Sequence, residues 1–227
     1  MESVILLGKG PSILKLEAEY VEGFDQIAIV NRHIWEGYSQ HIPPKADMQY
    51  RNNSTENFSE SEFIEMGIKE VISTAGPNVE LPRRAHYNIA EVRYPEWPVN
   101  QNRDSIVLSF DDKTFNASSG VVAFYDLVNC KKFNKISVAG IDLMENGQRA
   151  YYFEPEEAPA NMQYLFEWGI YDRNGFIRKK ESGHSESDSR EFMFYTMQKN
   201  THIQFEIATN NHNLSESVRS LENVRTL

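Results

Sequence analysis

The 227-residue sequence has a single cysteine, Cys130. One thiol excludes an internal disulfide framework and any multi-cysteine zinc site. It stands in an apolar helical pattern, where an inert, buried thiol is the expected role. No apolar run approaches the ~20 residues of a transmembrane helix. The N-terminus enters a strand directly, without the basic region and apolar segment of a secretory signal, so a cytoplasmic chain is expected. Basic charge is also short: 23 Lys and Arg stand against 33 Asp and Glu, a net charge of −10. That balance disfavours a broad phosphate-backbone footprint, and nucleic acid is not an expected partner. A sugar nucleotide stays open, because a few amides and side chains can hold one phosphate locally.

Several reaction signatures are missing as well. There is no GxSxG elbow, no GxxxxGK[ST] phosphate loop and no HExxH, which weakens the hydrolase, NTPase and zincin readings. No Asp-x-Asp triplet occurs, so a metal-dependent sugar-nucleotide site has no visible ligand pair. A dinucleotide-dependent oxidoreductase needs GxGxxG and an acidic residue ending the second strand, but that strand ends in Asn31.

What is present is a globular composition, 40% hydrophobic and 25% charged. Short β-rich runs occur at Val4–Leu7, Ile27–Val30, Met48–Tyr50, Glu70–Ile72, Ile136–Ala139 and Ile203–Ile207. Helical patterns lie between them at 12–20, 60–66, 119–131 and 187–199, with a weaker one at 214–221. Strands spaced by crossovers imply a mostly parallel sheet covered on both faces, a doubly wound α/β fold in one domain over residues 1–227. Residues 80–98 fit a loop-rich excursion, and there is no internal repeat. Residues 149–183 combine aromatic, acidic and basic blocks, and fit either an irregular lid or a surface subdomain with its own small core.

Five segments can carry chemistry. Gly8-Lys9-Gly10-Pro11-Ser12 follows the first strand; its glycines permit a tight turn and close approach of a ligand, and Pro11 suits a first helical turn. The same residues also suit a purely structural strand-to-helix turn. Asn31 ends the second strand, where it can contact a ligand or cap a turn. Ser118, Ser119 and Gly120 open a helix, as cap or as anion site. Asp142 ends a later strand and either meets a ligand or orders the following turn. His184, beside Gly183 and after the suspected lid, is placed to act as a general base near neutral pH.

The order of these pieces resembles the bacterial lipooligosaccharide sialyltransferases, which use CMP-N-acetylneuraminic acid. The likeness runs through VILLGKGPS, Asn31, SSGVV, KISVAGIDLMENGQRAYYF, GHSESD and IQFEIATNN, and touches about half the chain. It implies a Rossmann-like glycosyltransferase domain that binds a CMP-sugar without metal or other cofactor and transfers it with inversion to a glycan acceptor. His184 would match the base. Asn31 and the Gly8–Ser12 turn would lie along CMP, with Ser119 and Gly120 at the nucleotide or donor carboxylate and Asn52 or Asn53 in a similar contact. A lipid-linked acceptor, peripheral membrane contact and a homo-oligomer are further expectations of the resemblance, in a family that often carries a basic or apolar C-terminal extension. The departures bear on the donor. Lys9 replaces an asparagine of the family's GNGPS, and can meet phosphate as a point charge. Of two lid tyrosines that stabilise the leaving phosphate, one aligns with Met144, and Tyr151 matches the other only with one residue inserted. Loss of one such donor weakens leaving-group stabilisation by ~1–4 kcal/mol. CMP-Kdo or another nonulosonate, retention through a carboxylate such as Asp142, and a non-catalytic CMP- or glycan-binding domain are the alternatives.

Overall fold

The computed structural model describes residues 2–52, 58–74, 91–93, 100–102, 105–143, 151–153, 157 and 185–227. In chain order the strands of this part are β1 (Glu2–Leu7), β2 (Gln26–Val30), β3 (Met48–Arg51), β4 (Glu70–Ser73), β5 (Glu91–Arg93), β6 (Asn100–Asn102), β7 (Ser105–Phe110), β8 (Lys113–Asn116), β9 (Phe133–Ala139), β10 (Gln204–Ala208) and β11 (Val224–Thr226). The helices are α1 (Ala18–Glu22), α2 (Glu60–Met66), α3 (Ser119–Asn129), α4 (Glu186–Lys199) and α5 (His212–Val218).

All six expected strands form and belong to one eight-stranded sheet in the order β11-β10-β9-β1-β2-β3-β4-β5. Every pairing in it is parallel. From β1 the chain steps outward through β2 to β5, then returns to place β9 on the other side of β1. The winding therefore reverses between β1 and β9, which is where such sheets hold ligands. Alternate residues of β1 enter different cores: Val4 and Leu6 face α3, while Ile5 and Leu7 face the layer containing Ile13 and Phe63. Burial of both faces is the requirement of a parallel sheet.

The helix expected over 119–131 is α3, and its apolar stripe of Val121, Phe124, Leu127 and Val128 is buried as its spacing requires. Each such side chain contributes about 1.5–3 kcal/mol on burial. Cys130 corrects one expectation: α3 ends at Asn129, and Cys130 is the C-cap, exposed rather than buried. The helix over 60–66 forms as expected, closed by a Ser59–Glu62 capping box and by Gly67 at φ 73°.

Three other segments differ from their sequence reading. The expected helix over 12–20 is divided into a 3-10 turn, Pro11–Lys15, and the short α1. Between them His41 Nδ1 contacts the Leu16 carbonyl at 2.7 Å, and the Ala18 amide donates to the Gln40 carbonyl, holding the chain extended. The loop-rich 80–98 stretch contains β5, paired with β4. After it, β6, β7 and β8 form a separate antiparallel sheet. Asp111 and Asp112, at φ 43° and 62°, make the left-handed turn between β7 and β8. Phe110 and Phe115 then pack on Phe192 of α4, with ring centroids 5.6 and 5.5 Å apart.

Candidate functional site

The expected site residues that the structure describes gather at the carboxyl ends of β1, β2, β3 and β9, facing the start of α3. Three backbone amides of the Gly8-Lys9-Gly10-Pro11-Ser12 turn are engaged within the protein. The Gly8 amide donates to the Ala139 carbonyl at 2.7 Å and the Gly10 amide to the Gly140 carbonyl at 2.8 Å. The Ser12 amide donates to Asp142 Oδ2 at 2.9 Å. Ser12 Oγ donates to the Ala208 carbonyl and accepts from the Gly140 amide. The fully buried Ser12 thus stitches β1 to β9 and β10, and Pro11 opens the 3-10 turn.

Asp142, 3% exposed, completes that stitch: its carboxylate also accepts from the Asn210 amide at 2.8 Å and from Thr209 Oγ1 at 3.4 Å. Its observed role is to order the turns after β1, β9 and β10.

Lys9 differs from its neighbours because its side chain projects from the turn. It is half-buried, and its Nζ lies over the ring of Tyr151, 5.7 Å from the centroid. Desolvation lowers its pKa to about 8. Its carbonyl accepts from the Tyr152 amide at 3.0 Å. Tyr151 stacks on Phe153 with centroids 5.1 Å apart and rings nearly parallel. The first residues of the suspected lid therefore rest on the β1 turn.

Two residues behind this contact escape sequence reading. Tyr152 is 1% exposed, and its hydroxyl accepts from the Ile34 amide and donates to the Ile34 carbonyl, both at 2.8 Å. His33, also 1% exposed, lies stacked between Trp35 and Tyr152. Its Nε2 lies 3.0 Å from the Leu7 carbonyl, which fixes Nε2–H as the donor. Burial, then the charge of Lys9, pushes its pKa down to about 3, so the ring is neutral. Only the aromatic neighbours in HIW and YYF hinted at this box.

On the other side of the turn the polar residues form a chain. Asn31 takes φ 59°, donates its amide to the Tyr50 carbonyl and accepts through Oδ1 from the Asn52 amide at 3.1 Å. The Asn52 side-chain amide reaches Ser119 Oγ at 3.4 Å, and Thr74 Oγ1 donates to the same oxygen at 3.0 Å. Thr74, at the end of β4, is a further member that the sequence did not single out. Ser118 occupies the N-cap position with an extended backbone, but its side chain makes no cap bond. Gly120 keeps α3 close to β9, because a β-carbon there would lie 3.1 Å from Ile141 Cδ1. The first turn of α3, with its partial positive charge, thus lies against this chain.

Asn53, Met144, Gly183 and His184 lie outside the described residues, as does the 149–183 excursion apart from 151–153 and Glu157. Among the described residues, no three or more His, Cys, Asp or Glu side chains are placed to hold a metal, and no helix is long and apolar enough to cross a membrane.

A cavity of about 540 Å³ opens at the opposite end of the sheet, beside Met48, Glu70, Arg93, Asp126, Cys130 and Phe133. Arg93, Asp126 and Glu70 of its lining pair with one another. Arg93 grips Asp126 through two bonds at 3.1 and 2.7 Å and also pairs with Glu70, while Tyr50 donates to Asp126 at 2.6 Å.

A parallel sheet that reverses beside β1, with asparagines, hydroxyls and a helix start at that reversal, defines a doubly wound, Rossmann-like α/β domain. Solved sialyltransferases share this fold. CstII from Campylobacter jejuni, in complex with the substrate analogue CMP-3FNeuAc, superposes with a TM-score of 0.62 at 16% identity, over 98% of this chain and 88% of that one. The monofunctional alpha-2,3-sialyltransferase Cst-I from Campylobacter jejuni gives 0.58 at 17% identity, over 96% and 79%. No protein-family model and no curated protein matches the chain.

Proposed function

We propose that this chain is a glycosyltransferase of sialyltransferase type, moving an acidic sugar from a CMP-activated donor to a glycan acceptor. The observation that carries the reading is the shared fold, over 98% of this chain, with an enzyme solved on a CMP-sugar analogue. Its weight comes from the place where the expected donor-side residues meet: Asn31, Asn52, Ser119 and Gly120 stand together at the switch point. In this reading they lie along the nucleotide, Lys9 stands on the phosphate side and Asn53 adds a similar contact.

The reaction proposed is a single displacement. His184 takes the proton of an acceptor hydroxyl as that oxygen forms its bond to the anomeric carbon. The bond from that carbon to the phosphate oxygen breaks, and CMP leaves with the electron pair, inverting the centre. Tyr151 is the proposed donor to the leaving phosphate. The three internal bonds of Asp142 support inversion over a retaining path through that carboxylate. No metal or other cofactor takes part in the proposed reaction. Location in the cytoplasm, contact with a membrane-borne acceptor and self-association belong to the same proposal.

The test is incubation with CMP-N-acetylneuraminic acid and a panel of galactoside acceptors, with NMR of the new linkage. Inverted product that disappears in His184→Ala, in a variant that still binds CMP, is the expected result. Retained configuration, or full transfer by His184→Ala, overturns the mechanism. Lys9 and Met144 favour a second donor reading, CMP-Kdo or another nonulosonate, and a thermal-shift screen across CMP-sugars separates the two. Tight CMP binding without transfer to any acceptor would mark a binding domain instead.

A further inference from the structure

Ser119 stands at the start of α3 with its side-chain oxygen already occupied twice. Thr74 Oγ1 donates to it at 3.0 Å and the Asn52 side-chain amide at 3.4 Å. A hydroxyl has two lone pairs and one hydrogen, so two incoming bonds leave Ser119 only the role of donor. A serine within a helix can turn that hydrogen back on the carbonyl one turn earlier. Ser119 has no such carbonyl, because it is the first residue of α3 and follows an extended Ser118 and the strand β8. Among the described residues, no group accepts the Ser119 hydrogen.

Thr74 is held where this arrangement needs it. Its amide donates to the Arg51 carbonyl at 2.8 Å, which continues the β3–β4 bonding one residue past Ser73. The residue is 6% exposed, and a β-branched side chain has few χ1 options, so backbone and packing together fix the hydroxyl on Ser119. On the other side, Asn31 Oδ1 accepts the Asn52 backbone amide at 3.1 Å and so places the second donor. The ends of β2, β3 and β4 thereby set the role of one hydroxyl of α3.

We infer that Thr74 is a positioning residue of the donor site, holding Ser119 as an obligatory hydrogen-bond donor to an anionic oxygen of the bound CMP-sugar. The inference rests on the CMP-sugar reading, in which Ser119 lies along the nucleotide. An ionised oxygen of the phosphate or of the sugar carboxylate has lone pairs and no hydrogen, and so matches a group that can only donate. The exocyclic amine of the base needs an acceptor, and would meet an oxygen already filled. Thr74 thus selects which part of the ligand Ser119 can bind, without touching the ligand itself.

Calorimetric titration of cytidine, CMP and the analogue CMP-3FNeuAc tests this. Ser119→Ala is expected to lose about tenfold to a hundredfold in affinity for the ligand that carries the oxygen, with cytidine unchanged. A loss already present with CMP assigns that oxygen to the phosphate, and a loss confined to the analogue assigns it to the carboxylate. Thr74→Val keeps the shape, removes the hydroxyl and loses about threefold to tenfold for the same ligand. Thr74→Ser restores wild-type affinity, and Thr74→Val adds no further loss in a Ser119→Ala background. The inference is overturned, and the CMP-sugar reading left standing, by wild-type affinity in Thr74→Val or Ser119→Ala, or by a loss that cytidine shares. It is overturned equally by a Thr74→Ser as weak as Thr74→Val, or by an undiminished Thr74→Val loss on top of Ser119→Ala, which would make Thr74 structural only. Should Thr74→Val not fold, Thr74→Ala is held to the same outcomes. Failure of the wild type to bind CMP or the analogue overturns the reading and the inference together.

Discussion

Gly8 and Gly140 cross so closely that a β-carbon on Gly8 would lie 2.2 Å from the Gly140 carbonyl oxygen. Gly140 also takes φ 73°, and a β-carbon there would come within 2.6 Å of the Gly8 carbonyl oxygen. Neither neighbour is a side chain that can move aside. Gly8→Ala is therefore expected to cost about 3 kcal/mol or more in urea unfolding, the upper end of overpacking penalties. Gly120→Ala, which meets only the flexible Ile141 side chain, should cost about 1 kcal/mol. Equal midpoints for the two variants would contradict the backbone crossing.

Asp142→Ala removes the acceptor for two buried or part-buried amides, those of Ser12 and Asn210. At about 1–3 kcal/mol for each donor left without a partner, a loss of at least ~2 kcal/mol is expected. Asp142→Asn should be milder and should retain sugar transfer per mole of folded protein. Complete loss of turnover in a fully folded Asp142→Asn would instead favour a chemical role for the carboxylate.

The adjacent tyrosines separate in the same experiment. Tyr152→Phe deprives both backbone groups of Ile34 of their partner and should cost about 1–3 kcal/mol. Tyr151→Phe keeps the ring over Lys9 and its stack on Phe153, and should cost less stability than Tyr152→Phe. Its effect is expected on transfer rate, read at saturating donor. A reversed stability order would mean that Tyr151, not Tyr152, anchors the segment.

Acid stability reports on His33. Its folded pKa, about 3, lies below the ordinary value of 6.5, so between these values the unfolded chain binds the extra proton. Stability therefore rises with pH across that window and declines as pH falls from about 6.5 toward 3. His33→Phe keeps the stack but removes this proton, and its melting temperature should fall less steeply between pH 6.5 and 4.5 than that of the wild type. Parallel slopes would show that His33 is not buried neutral.

Local pattern was enough to find β1, β2, β3, β4, β9 and β10, the bounds of α2 and the buried stripe of α3. Each depends on apolar spacing and capping within a few residues, and those preferences act before any long-range contact forms. The same spacing placed Asn31, Asn52 and Asp142 at strand ends. It carried no information on partners. Only the tertiary structure decided that Asp142 would clamp Ser12, 130 positions away in the chain, and that the glycines of GKGPS would admit a neighbouring backbone. The same holds for His33, whose neutrality depends on Tyr152 arriving from 119 positions away. The physical reason is that a residue's charge state and accessibility follow from what is packed against it, which sheet order fixes and local sequence does not.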